Sequence, residues 1–187
     1  YGEYEICKRE KIDPDKIIVS GVNKTKESLD KILEYSKGKG IYTIESEKQL
    51  DLLSVCAKES GYRLKVIVRL TSGNQFGVDK EQFDLLTKRI CYEGLLDLVG
   101  IHYYSGTQKK IKKVAKELAM LDEYEKKIKT SFEINKFELE YGPSLMVEYF
   151  QDDKCIGIIE QLEQLKQEVD KVTNYDKITL EFGRFIV

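Results

Sequence analysis

Short apolar runs recur along the chain, and a stretch with helical spacing follows each. The runs are Lys16–Ser20 (KIIVS), Ile41–Ile44 (IYTI), Leu64–Leu70 (LKVIVRL), Leu98–Tyr103 (LVGIHY), Lys136–Tyr141 (KFELEY) and Lys177–Phe182 (KITLEF). β-Branched and aromatic residues dominate several of them, as strands buried on both faces require. Between the runs the helix signals are explicit. Thr25 opens a helix carrying Leu29, Ile32 and Leu33, and Gly38 closes it. Ser46 and Gln49 have capping-box spacing, Leu50, Leu53 and Ala57 follow on one face, and Gly61 sits where a C-terminal cap belongs. Asp79 with Gln82 opens a third helix, which carries Phe83, Leu86 and Ile90 and ends at Gly94. Ile111, Val114, Leu118 and Leu121 mark a long fourth; Ile159, Leu162, Leu165 and Val169 mark a fifth. Glu3–Lys11 has room for one more before the first strand.

Strict alternation of strand and helix predicts a parallel sheet with right-handed crossovers. Two architectures meet that description, an open doubly wound sheet and a (β/α)8 barrel. No GxGxxG or GxxxxGK[ST] follows any strand, which weighs against the nucleotide-binding open sheets. The six predicted strands fall short of the eight a closed barrel needs, so periodicity alone leaves both open.

Composition narrows the class without choosing between them. Hydrophobic residues make up 41% of the 187 and charged residues 34%, as in a folded soluble domain. The net charge is −2 with both signs mixed along the chain, which argues against a nucleic-acid surface. No apolar run approaches the roughly 18 residues of a membrane span. Cys7, Cys56, Cys91 and Cys155 lie far apart and form no CxxC pair, so they are expected to be reduced structural thiols in a cytoplasmic protein. One histidine and no clustered cysteines make a metal site unexpected.

In either architecture ligands bind at the carboxyl ends of the strands, so the residues there carry the function. The first two strands end at Ser20-Gly21 and Glu45-Ser46, and the third at Arg69, before a loop with Gln75-Phe76-Gly77. The fourth ends in His102-Tyr103-Tyr104-Ser105-Gly106-Thr107-Gln108, the fifth in Glu140-Tyr141-Gly142-Pro143-Ser144, the sixth in Glu181-Phe182-Gly183-Arg184. Two arginines, a Ser-Gly-Thr turn and a Gly-Pro-Ser turn suit a phosphate or carboxylate. Tyrosines supply planar surfaces, and Glu181 stands three residues before Arg184. An aromatic phosphate ester with a basic ring nitrogen, such as pyridoxal phosphate (PLP), would use all of these. Each feature also has a plainer reading. A Gly-Thr turn ordinarily caps a helix, a lone histidine is ordinarily structural, and Arg69 suits an interior ion pair. Tyr103 and Tyr104 face opposite sides of a strand, so one of them belongs to the core.

Taken in order, these segments resemble the motif series of PLP-dependent decarboxylases of the alanine-racemase fold type, of the diaminopimelate and ornithine kind. Tyr1-Gly2-Glu3-Tyr4 resembles the tail of an A-S-x-x-E-L segment, and Ile17–Gly21 with Lys24 the strand and loop that follow. Thr43-Ile44-Glu45-Ser46 resembles VDS, and Val68-Arg69-Leu70 with Gln75-Phe76-Gly77 resembles LRI…KFG. Gly100–Gln108 resembles GLHxHxGSQ, and Leu180–Val187 resembles xEPGRxxV. The resemblance implies a partial (β/α)8 TIM barrel of about six parallel strands, the family's strands 3 to 8, with helices outside. It also implies that residues 1–187 form a single PLP-binding domain. Glu181 would hold a proton on the pyridine nitrogen. Arg184 and the Gly142 turn would bind the phosphate, with Thr107 or the Ser105–Thr107 turn assisting, and Gly183 would belong to the cofactor-binding residues. Tyr104 would stack on the ring where the family has a histidine, His102 matches the family's earlier histidine, and Arg69 would line the cofactor site.

The departures from the family pattern are as definite as the matches. The triple-glycine phosphate loop is reduced to Glu140-Tyr141-Gly142, and Phe182 replaces a proline. The Schiff-base lysine, which the family carries on its first barrel strand, has no counterpart here, so no catalytic residue is assigned within this chain. The carboxy-terminal β domain, which donates residues across the family's dimer, has none either. The parent is therefore expected to be longer at both ends. It is expected to be a cytoplasmic homodimer decarboxylating a small amino acid of the diaminopimelate, ornithine or lysine kind, or one tethered to a carrier. The fragment alone is expected to be inactive, with two open parallel sheet edges. Two other readings stay open: a non-catalytic regulatory homologue, and an unrelated barrel enzyme that binds a phosphorylated metabolite.

Overall fold

A computed structural model of the chain describes residues 1–150 and 155–183. Six strands lie in one sheet in chain order, β1-β2-β3-β4-β5-β6. The chain forms two compact units, Tyr1–His102 and Tyr103–Val187.

The first unit holds α1 (Gly2–Arg9), β1 (Ile18–Val19), α2 (Lys26–Ser36), β2 (Ile41–Ile44), α3 (Glu47–Ser60), β3 (Leu64–Leu70) and α4 (Lys80–Glu93). It also holds all of β4 (Leu96–Tyr103) but its last residue. β1 is shorter than its apolar run predicts. Pro14–Lys16 forms a 3-10 turn, with the Asp13 side chain accepting from Asp15 N–H, and this consumes the start of the run. β4 starts earlier than expected, at Leu96. Where Gly38 is expected to close α2, Lys37 itself takes the left-handed cap position at φ 55°.

The other caps fall where the sequence places them, but Ser46 and Gln49 form only half of the expected box: Ser46 accepts from Gln49 N–H, while the Gln49 side chain accepts from Glu45 N–H. Thr25 and Ser28 form a reciprocal capping box, as do Asp79 and Gln82, and Gly61 and Gly94 close their helices in the left-handed conformation. β1, β2 and β3 pair in parallel, with Val19 opposite Tyr42 and Ile44 opposite Val68. Their side chains pack against Leu50, Leu53, Phe83 and Ile90 of α3 and α4, all buried. Each such side chain contributes roughly 1.5–3 kcal/mol. A buried polar residue on α3, Gln49, has all its groups satisfied. Its Oε1 accepts from Glu45 N–H at 3.0 Å, and its Nε2 donates to Val22 O at 2.9 Å, tying the β1 loop to the end of β2.

The second unit holds α5 (Ile111–Phe132), β5 (Glu138–Tyr141), α6 (Ile158–Val169) and β6 (Lys177–Leu180). β5 and β6 pair in parallel from Glu138 opposite Lys177 to Tyr141 opposite Leu180. The first of these pairs carries a 3.2 Å ion pair. The buried face of α5 is Val114, Glu117, Leu118, Leu121, Tyr124, Glu125 and Ile128. Two carboxylates therefore lie on an apolar stripe and must be paired there. Glu125, fully buried, is met by Lys129 at 2.7 Å. Lys129 also donates to Asn174 O, Asp122 accepts from the Thr173 and Asn174 amides, and Tyr175 OH donates to Leu121 O. These bonds fix the approach to β6.

Candidate functional site

A cleft of about 220 Å³ lies in the second unit. Three segments line it: Tyr104, Thr107 and Gln108 after β4; Ser144, Leu145, Val147 and Tyr149 after β5; and Glu181, Phe182 and Gly183 after β6. It sits at the carboxyl ends of parallel strands, where ligands are expected. It is smaller than a pocket that engulfs a whole drug-sized ligand, roughly 300–1,000 Å³. A larger cleft of about 290 Å³ in the first unit includes Glu47, Gln82 and Arg89. Its arginine is already engaged by Asp51 at 2.6 Å and Glu93 at 2.7 Å, and no aromatic ring lines it.

Tyr104 and Gly142 meet behind the cleft. A Cβ at position 142 would lie 2.5 Å from Tyr104 Cδ2, so only glycine allows the ring to lie against the turn. The Gly142 amide donates to Tyr103 O at 3.1 Å. Pro143 has no N–H and the Gly142 amide is taken by Tyr103 O, so Ser144, which lines the cleft, is the residue of this turn left to offer donors.

Beneath the turn is a buried polar cluster. Lys109 is 2% exposed. Its Nζ donates to Gly142 O at 2.6 Å and to Glu117 Oε2 at 2.9 Å. Tyr141 OH donates to the same Glu117 oxygen at 2.7 Å, and Ser105 Oγ donates to the other. Burial pushes the Lys109 ammonium below its ordinary range, while Glu117 opposes that shift. Burial and the Glu117 carboxylate push the Tyr141 phenol upward. Two glutamines hold the strand-like segment that follows. Gln108 both donates to Val147 O and accepts from Val147 N–H, each at 2.7 Å; Gln161 does the same for Met146 at 3.0 Å.

Of the residues singled out from sequence, the cleft brings together Tyr104, Thr107, Glu181 and Gly183, with Gly142 packed behind Tyr104. Tyr103 is the core member of the tyrosine pair, and Tyr104 is part-exposed. Arg69 and His102 belong to the first unit. Arg69 forms a 3.0 Å ion pair with buried Glu45, and its guanidinium lies 5.1 Å from the Phe76 ring centre. The loop between them closes through Gly77, where a Cβ would stand 2.7 Å from Arg69 O. His102 is buried near the end of β4. Arg184 lies outside the described residues. Lys109, Glu117 and Gln161 escaped notice. Lys109 reads as part of a solvated basic run, but Glu117 left a signal: it falls at helical spacing between Val114 and Leu121, on a face that is otherwise apolar.

The residue set fits a phosphorylated aromatic ring: a carboxylate, a tyrosine ring packed against a glycine turn, and hydroxyl-bearing Thr107 and Ser144 in one cleft. A family profile described as "Pyridoxal-dependent decarboxylase, pyridoxal binding domain" matches residues 1–187. The diaminopimelate decarboxylase of Aquifex aeolicus is 26% identical over 205 residues, covering 100% of this chain and 47% of that protein. The structure of a diaminopimelate decarboxylase from M. jannaschii in complex with L-lysine superposes with a TM-score of 0.83 at 24% identity, over 100% of this chain and 47% of that one. SrLDC, solved in complex with PLP and cadaverine, gives a TM-score of 0.83 at 18% identity, over 99% and 47%. These likenesses confirm the expected fold, a six-stranded part of a parallel barrel with helices. The chain spans about half the length of the relatives it matches. An unrelated barrel enzyme is thereby excluded: the chain belongs to the pyridoxal-dependent decarboxylases and corresponds to their pyridoxal-binding domain.

Proposed function

We propose that the whole protein decarboxylates a small amino acid of the diaminopimelate, lysine or ornithine kind with PLP, and that the second-unit cleft takes the cofactor. The observation that carries this reading is the convergence of Glu181, Tyr104, Thr107, Ser144 and Gly183 on one cleft at three strand ends. Bound PLP supplies a protonated ring that accepts the electron pair left behind when the substrate carboxylate departs as CO2. Glu181 holds the proton on the ring nitrogen. Tyr104 presents its face to the ring, as the tight Gly142 contact allows. Thr107, Ser144 and the Gly183 backbone bind the phosphate, joined by Arg184. No lysine of residues 1–187 is assigned to attach the cofactor.

The whole protein is further proposed to be a cytoplasmic homodimer, with residues 1–187 folding as one cofactor-binding domain. Four unbridged cysteines suit a reducing compartment, and no helix among the described residues is long and apolar enough to cross a membrane. Titration of the full-length protein with PLP, followed by visible absorbance, tests the cofactor reading. A saturable band that Glu181→Gln shifts supports it. A folded protein with no band favours the non-catalytic homologue instead.

A further inference from the structure

The turn that brings Ser144 to the cleft is held by one residue at two points. The main-chain N–H of Lys109 donates to Ser144 O at 2.8 Å, and its side-chain Nζ donates to Gly142 O at 2.6 Å. Both ends of Gly142-Pro143-Ser144 thus hang on a single lysine. That lysine is nearly inaccessible and is held in turn by Glu117 at 2.9 Å. Its ammonium also lies 4.7 Å from the Tyr141 ring centre. One member of the cluster, Tyr141, stands where the family pattern has a glycine.

We infer that Lys109 is a positioning residue for phosphate recognition: it fixes the Gly142–Ser144 turn so that Ser144 meets the phosphate, without touching the phosphate itself. The inference rests on the reading that this cleft takes the phosphate of PLP. Burial supports the indirect role, because a side chain 2% exposed with four polar neighbours from Ser105, Glu117, Tyr141 and Gly142 has no reach to a ligand in the cleft. It also separates Lys109 from the basic run beside it, since Lys110, Lys112 and Lys113 are exposed.

The test compares two ligands on the full-length protein, PLP and pyridoxal, which lacks the phosphate. A residue that positions the phosphate turn alters affinity for the first and spares the second, whereas a general structural defect moves both. In Lys109→Met, PLP affinity is expected to fall by about tenfold or more, as loss of a charge-assisted hydrogen bond implies. Pyridoxal affinity should stay within about twofold, a difference too small to reflect a lost hydrogen bond. Because Lys109→Met leaves Glu117 buried without its counter-charge, the paired variant Lys109→Met/Glu117→Leu is measured alongside and should show the same selective loss. Amide exchange across residues 142–147 should quicken in both variants. If the unaltered protein binds pyridoxal as tightly as PLP, the phosphate reading itself falls and takes the inference with it. If it prefers PLP and a folded variant keeps that preference, the inference alone is overturned.

Discussion

Gly142 shows how a single atom decides a site. Its φ lies outside the left-handed region, so alanine would be tolerated by the backbone. The conflict is with Tyr104, 2.5 Å from the missing Cβ. Gly142→Ala is therefore expected to cost about 1–3 kcal/mol by overpacking and to weaken PLP binding. In Gly142→Ala/Tyr104→Ala the two penalties should not add, because the second change removes the clash. Urea unfolding and a PLP titration on all three variants check both points. At the same scale, Glu181→Gln in the full-length protein should leave the fold intact and lower kcat by about 10²-fold or more. Residues of this kind were partly legible in the sequence. Strand-end motifs pointed to Tyr104, Thr107, Gly142, Glu181 and Gly183. They did not point to Lys109, because burial of a lysine is set by its neighbours in space and not by its position in a basic run.

Among the elements, α5 does more than cover the sheet. Its buried stripe carries Glu117, which holds the cluster beneath the Gly142 turn, and Glu125, which through Lys129 holds the approach to β6. Burial raises the Glu125 carboxyl above its usual range, and Lys129 partly offsets this. Lys129→Met strands that carboxylate and should destabilise the protein by about 3 kcal/mol. Glu125→Leu/Lys129→Met should recover much of the loss, as chemical denaturation would measure. Helix existence and caps were readable from Ser46, Asp79, Gly61 and Gly94, because local chemistry dictates them. Strand limits were not. β1 shrinks to Ile18–Val19 because the Pro14–Lys16 turn competes for the same residues, and β4 gains Leu96 from a position that reads as loop.

For the whole molecule, buried tyrosines set the alkaline limit, three of them most strongly. Burial pushes Tyr42 from 10.0 up to about 12, and Tyr141 and Tyr175 are raised still further. The sign follows from proton binding. Between pH 10 and 12 the unfolded chain loses these protons while the folded chain keeps them. The stability they contribute is thus complete below pH 10 and declines as pH rises from there, through about 12 for Tyr42 and further still for Tyr141 and Tyr175. Denaturation midpoints measured across that range, beside tyrosinate absorbance, would show the two transitions coinciding.

If this pyridoxal-binding domain serves a working decarboxylase, CO2 release is its direct signature. The full-length protein, supplied with PLP, is offered meso-diaminopimelate, L-lysine and L-ornithine in turn, and CO2 is quantified. PLP-dependent release is expected from at least one of them, slowed by about 10²-fold or more in Glu181→Gln. A folded, PLP-saturated protein that releases CO2 from none of them would contradict that reading.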